Sequence, residues 1–152
     1  MRALVQRVSQ ASVEVKEENY LAKINEGMVI LLGVHQDDTI NDVNFVADKC
    51  SNLRIFEDDN GKMNLSLKDI NGEVLVVSQF TLYGDCRKGN RPNFMFAAEP
   101  QKAKLLYEKF VERMKENLGD DKIKTGIFAA MMTVNIVNEG PVTVLVEDKE
   151  KK

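Results

Sequence analysis

Residues 133 to 147, TVNIVNEGPVTVLVE, alternate and are β-branched as a half-buried strand should be, yet they carry Gly140 and Pro141 near their centre. Proline donates no ladder hydrogen bond, so a sheet cannot run through this point undisturbed. Local pattern leaves two readings open. The Gly-Pro step is either a turn or bulge between two strands, or a peptide that is itself a working part.

The rest of the chain supplies what such strands would pack against. GMVILLGV (27 to 34) is apolar throughout, which predicts a strand buried on both faces. EVLVVSQFTLY (73 to 83) reads as the best strand, and residues 2 to 15 as one or two more. TINDVNFVADKCSNL predicts a helix capped by Thr39 and Asp42, with Ile40, Val43, Val46, Ala47, Cys50 and Leu53 on one face. LRIFE reads as a short strand, DDNGK as a turn, and NLSLKDI as an irregular or β segment. Pro100 opens a second helix to about Leu118, ended by Gly119, with Ala103, Leu106, Tyr107, Phe110 and Met114 facing inward. Many strands and two long helices make a mixed α/β domain bordering on α+β. One domain is expected over residues 1–147, followed by a charged tail at 148–152 that frays.

Composition narrows the function classes. No run approaches 18 apolar residues and the N-terminus lacks the apolar block of a signal peptide, so no membrane span is expected and a cytoplasmic protein is the default. A net charge of −3 argues against a protein that coats nucleic acid. It leaves room for a local patch, and Arg87, Lys88 and Arg91 crowd the glycine-containing loop CRKGNR, which reads equally as solvated.

Catalytic side chains are scarce. His35 is the only histidine and looks like a strand-end residue. Cys50 belongs to a helix core, whereas Cys86 lies in the basic loop and is the one cysteine that a thiol hydrolase would use. Neither cysteine nor histidine is numerous enough for a disulfide framework or a zinc site. SQFTLYGD ends a strand with Ser78, Gln79 and Thr81, all able to hydrogen-bond, at the entry to a glycine loop. Such a strand end is a common place for a pocket, though plain strand residues would look the same.

SQFTLYGD and NEGPVT, with RKGNRPNF, TGIFAAMMTV and the N-terminal MRALVQRV, resemble the D-aminoacyl-tRNA deacylase family over nearly the whole chain and in the expected order. Four positions depart from the family pattern. Glu139 stands where Asp is more usual, Ala129 where Gly is common, Asn93 where Ser is frequent, and Met131 where a polar residue is frequent.

The resemblance implies a homodimer of three-layer β/β/α subunits that hydrolyses the ester joining a D-amino acid to the 3′ end of tRNA. Glycyl-tRNA would also be attacked, and no metal or organic cofactor is implied. Gly140 and Pro141 would form a cis peptide inserted across the dimer, facing the substrate's chiral centre and held by Arg7. Catalysis would rest on Ser78, Gln79, Phe80 and Thr81: main-chain N–H groups near Phe80 and Thr81 steady the oxyanion while the terminal adenosine's 2′-OH assists water. Gln79 and Phe80 would line the pocket, with Ala103, Phe128 and Met132 packing nearby, positions that ordinary core would fill equally well. A cysteine hydrolase using Cys86 and a noncatalytic RNA-binding dimer are the rival functions.

Overall fold

The computed structural model describes residues 1–148, and the remaining tail residues lie outside the described part. In chain order the elements are β1 (Arg2–Val15), β2 (Tyr20–Ile24), β3 (Gly27–Gly33), α1 (Ile40–Asn52), β4 (Phe56–Glu57), β5 (Met63–Leu65), α2 (Leu67–Ile70), β6 (Glu73–Ser78), α3 (Pro100–Leu118), β7 (Ile123–Thr125) and β8 (Thr133–Glu147).

The apolar runs are apolar for the reason their patterns predict. β3, β6 and β7 lie side by side in parallel, β3 at the centre of the sheet order β2-β1-β3-β6-β7 and β7 at its edge. Successive side chains of a strand point to opposite faces. Met28, Ile30, Leu32, Val74 and Val76 therefore pack with α1 and α3, while Val29, Leu75 and Val77 join a second core with Val8, Ala11, Val13, Ala22 and Ile24. Helices, central strands and the β1–β2 strands over their other face form three layers in a mixed α/β domain.

β1 links the two cores. Its first half pairs with β3 and its second half with β2, both antiparallel. Ala3 and Val5 face the helix side, whereas Val8, Ala11 and Val13 face the other core. The change of parity falls at an irregularity between Val8 and Gln10.

The helices follow their sequence signals. Thr39 and Asp42 form the capping box of α1, and Pro100 opens α3 with all five expected inward residues buried. Ile40 departs from expectation: it sits in the first turn of α1 and is exposed. Between the helices, the Asp48 carboxylate receives two bonds of 2.8 Å from Arg113 and one of 2.9 Å from Asn117.

Three segments differ from the sequence expectations. NLSLKDI splits into β5 and the single turn α2, because Ser66 and Asp69 form a second capping box that stops the strand. The strand expected over 73 to 83 ends at Ser78, where its pairing with β3 ends, and Phe80–Tyr83 wind into a 3₁₀ turn. At the C-terminal end, Glu147 bonds to Arg2 and Asp148 to the Met1 ammonium, which Asp38 also holds at 2.7 Å, so these two residues are tied down.

Candidate functional site

The Gly-Pro interruption is a bulge within one continuous strand, β8, paired with β1 on either side of it. Gln6 pairs with Thr143 and Val8 with Asn138, so Glu139, Gly140, Pro141 and Val142 leave the ladder opposite Arg7 alone. Pro141 costs no ladder bond there, since its position has none to make. The Gly140–Pro141 peptide is cis, and both residues are exposed.

Arg7 fills the gap that the excursion leaves. It is only 8% exposed, and its Nε donates to the Glu139 carbonyl at 3.0 Å while Nη1 donates to the Ile55 carbonyl at 2.8 Å. Gly140 takes φ +123°, which L side chains rarely adopt. A Cβ there would lie 3.0 Å from Arg7 Nη2 and 3.1 Å from Val142 Cγ2, so a side chain would be tight as well as strained in conformation.

The second cluster stands where β6 ends. The Gln79 N–H bonds to the Leu32 carbonyl at 2.8 Å and turns the chain over the end of β3. Gly33 allows this approach, because a Cβ would meet Gln79 O, Leu82 Cβ and Tyr83 Cδ2 at 3.1–3.2 Å. The first bond inside the 3₁₀ turn runs from Leu82 N–H to Gln79 O, at 3.2 Å. The Phe80 and Thr81 N–H groups precede that bond and have no acceptor within the turn. Thr81 Oγ1 accepts from the Gln79 side-chain amide. Ser78 is half-buried beside Leu32, and Phe80 is 55% exposed with its ring edge-on to Phe94 at 5.2 Å.

One residue that sequence reasoning missed secures this turn. Arg2 Nη1 donates to the Leu82 carbonyl at 2.8 Å, and its guanidinium lies 4.5 Å from the centre of the Tyr83 ring. Only the fold brings the chain's second residue to this turn, so no local pattern could have revealed it. Burial pushes the Tyr83 hydroxyl pKa upward, which keeps it neutral.

The remaining expected site residues are dispersed. Ala103 is buried among the helix-side core residues, and Phe128 packs against Tyr107 at 5.7 Å on the same side. Met132 packs on the second core. Its Sδ lies so close to Gly126 that a Cβ there would come within 2.5 Å of it. Ala129 adopts φ +65°, the left-handed conformation that glycine takes without penalty. A glycine in that place would adopt the same backbone without strain.

The two clusters stand at different levels of the sheet. Arg7 pairs with Met28 near the start of β3, whereas Ser78 pairs with Leu32 near its end. Four residues of strand separate these levels by roughly 13 Å.

Among the described residues, no histidine or carboxylate is hydrogen-bonded to the Ser78 or Thr81 hydroxyl at the strand end. His35 is 1% exposed, accepts the Asp37 N–H at Nδ1 (3.0 Å), and packs on Tyr83 and Phe96. Cys50 is buried, which pushes its thiol pKa up to about 12. Cys86 is exposed, but Arg87 turns away to grip Asp85 through bonds of 2.9 and 2.7 Å, and among the described residues no base bonds to the thiol.

A mixed α/β domain whose strand-end turn leaves the Phe80 and Thr81 N–H groups without an acceptor inside it has the kind of main-chain donors that hydrolases use to hold an oxyanion. A family model described as D-Tyr-tRNA(Tyr) deacylase matches residues 4–147. The chain belongs to that family. A D-aminoacyl-tRNA deacylase of Thermotoga petrophila is 58% identical over 150 residues, covering 99% of each chain, and one of Clostridioides difficile is 56% identical with the same coverage. Among solved structures, the c-Myc DNA Unwinding Element Binding Protein superposes with a TM-score of 0.92 at 39% identity, covering 99% of this chain and all of that one.

Proposed function

We infer that this member of the family is a D-aminoacyl-tRNA deacylase, a hydrolase that releases a D-amino acid from the 3′ end of tRNA. Water adds to the ester carbonyl, the tetrahedral oxyanion forms, and the terminal ribose hydroxyl leaves with a proton. The observation that carries the reading is the pair of Phe80 and Thr81 N–H groups standing ahead of the first bond of their turn. Donors fixed in this way stabilise an oxyanion without reorganising, and removing one such donor typically costs about 2.7–4 kcal/mol. With no histidine or carboxylate bonded to Thr81 among the described residues, the adenosine 2′-OH assists the water.

Selection against L-substrates falls to the Gly140–Pro141 main chain, which Arg7 braces. Rigid backbone rejects an L side chain by collision and is indifferent to the identity of a D side chain. Glycyl esters, having no side chain to refuse, are also cleaved. The roughly 13 Å between the levels of Arg7 and Ser78 supports a homodimer in which each Gly-Pro serves the partner's strand-end site. The unpaired outer edge of β8 and the exposed Val137 and Leu145 are consistent with that assembly.

The test is deacylation of D-tyrosyl-tRNA against L-tyrosyl-tRNA, with light scattering on the same sample. Rapid hydrolysis of the D-ester by a dimer of 17.2 kDa subunits is expected. Equal rates on both esters, or an active monomer, would each overturn the corresponding part of the reading.

A further inference from the structure

The loop from Asp85 to Asn93 hangs directly from the strand-end site. Gly84 N–H bonds to the Thr81 carbonyl at 2.9 Å, and Asp85 and Asn93 exchange main-chain bonds of 2.7 and 2.9 Å that close the loop at its base. The chain then returns through Phe94 to the Phe80 ring. Inside this frame Asp85 also accepts the Arg87 N–H at 3.0 Å and grips the guanidinium of Arg87. Arg87 is thus neutralised and shapes the loop. Gly89, at φ +66° with open space around it, makes the bend at the tip.

That leaves Lys88 and Arg91, both exposed, and neither forms an ion pair among the described residues. On a chain of net charge −3, two exposed cations without an ion-pair partner among the described residues, held on a closed loop beside the strand-end turn, are a local exception, although Asp85 lies near enough to Lys88 to feel its charge. Exposed Phe94 and Met95 continue the same surface.

We propose that Lys88 and Arg91 contact the sugar–phosphate backbone of the tRNA acceptor end while the ester occupies the adjoining turn. This rests on the deacylase reading of that turn. Phosphates provide the complementary charge, and the loop's attachment to Thr81 and Phe80 places its cations next to where the 3′ nucleotide must lie. The contact is electrostatic and independent of sequence. It supplies grip that an otherwise acidic protein lacks, without a basic face over the whole molecule.

The experiment measures binding of uncharged tRNA across a salt series by fluorescence anisotropy, comparing wild type, Lys88→Gln/Arg91→Gln, and a control, Lys16→Gln/Lys23→Gln, at exposed positions on the β1–β2 hairpin. Each lost phosphate contact flattens the log–log salt slope by about 0.7–0.9. The loop double variant should therefore be flatter by about 1.4–1.8, so that between 50 and 200 mM salt the wild type loses about 7–12-fold more affinity than the variant does. The control should keep the wild-type slope. Unchanged slopes in the loop variant, equal flattening in the control, or no salt-dependent tRNA binding by the wild type would each overturn the proposal. The binding readout needs no hydrolysis, so the deacylation assay decides the activity separately.

Discussion

Arg7 bonds through Nε to the Glu139 carbonyl and through Nη1 to the Ile55 carbonyl, so one guanidinium joins the Gly-Pro excursion to the segment that follows α1. Arg7→Ala should leave the buried Ile55 carbonyl without this donor, at a cost of about 1–3 kcal/mol. Arg7→Lys keeps the charge but not the planar fork. Both variants should lose D-tyrosyl-tRNA hydrolysis at least tenfold, with urea melts showing the larger stability loss in Arg7→Ala. Full activity in Arg7→Lys would show that the bracing geometry is dispensable.

Gly140→Ala places a methyl group 3.0 Å from Arg7 Nη2 at a φ of +123°. The left-handed side of the map costs an L-residue roughly 1–2 kcal/mol, and the methyl also pushes against the brace. A folded variant with a modest drop in melting temperature and a large drop in D-ester turnover is expected. Normal turnover and normal rejection of L-tyrosyl-tRNA would reduce the excursion to a structural bulge.

Thr81→Ala removes a hydroxyl whose hydrogen bond is to Gln79 and leaves the main-chain N–H in place. Activity should fall by less than about tenfold, far short of the loss of an oxyanion donor. Mass spectrometry of the wild type during turnover should find no acyl group on Thr81. A trapped adduct, or near-complete loss of activity in the variant, would make the threonine a nucleophile.

Ala129→Gly relieves a side chain held at φ +65°. The gain is offset in part by the greater freedom of glycine in the unfolded chain, leaving a net stabilisation of up to about 1 kcal/mol. For a chain of this size that is a rise in melting temperature of up to about 4 °C, measurable by calorimetry. A lower melting temperature would contradict the strain argument.

The hydrogen bond from Arg113 is the main cause holding the Asp48 carboxyl pKa below its ordinary value, with Asn117 adding to it. A folded-state pKa below the unfolded one stabilises the protein above the unfolded value, near pH 4, and that stability is lost as pH falls through the folded value. The pair is more than a third exposed, so solvent screening limits it to about 1 kcal/mol or less. Asp48→Asn should therefore lower stability at pH 7, and the difference from wild type should shrink as the pH falls below 4, as judged by urea melts across that range.

Local physics made much of this legible in the sequence. The capping box at Thr39 and Asp42, Pro100 at a helix start and the apolar runs of β3 and β6 each need only neighbours in the chain or burial on both faces. The motifs SQFTLYGD and NEGPVT singled out the two segments on which the proposed site rests. What local pattern left undecided was set by long-range pairing. β6 stops at Ser78, the last residue that it pairs with β3, and the turn that follows leaves the Phe80 and Thr81 N–H groups ahead of its first bond. Gly140 and Pro141 form a bulge because β1 pairs with β8 on both sides of Arg7. Arg2 reaches Leu82 and Tyr83, and Arg7 reaches Ile55, across separations that no sequence period spans. Strand register and side-chain reach are properties of the folded sheet, and they decide which backbone groups stay unpaired and available for chemistry.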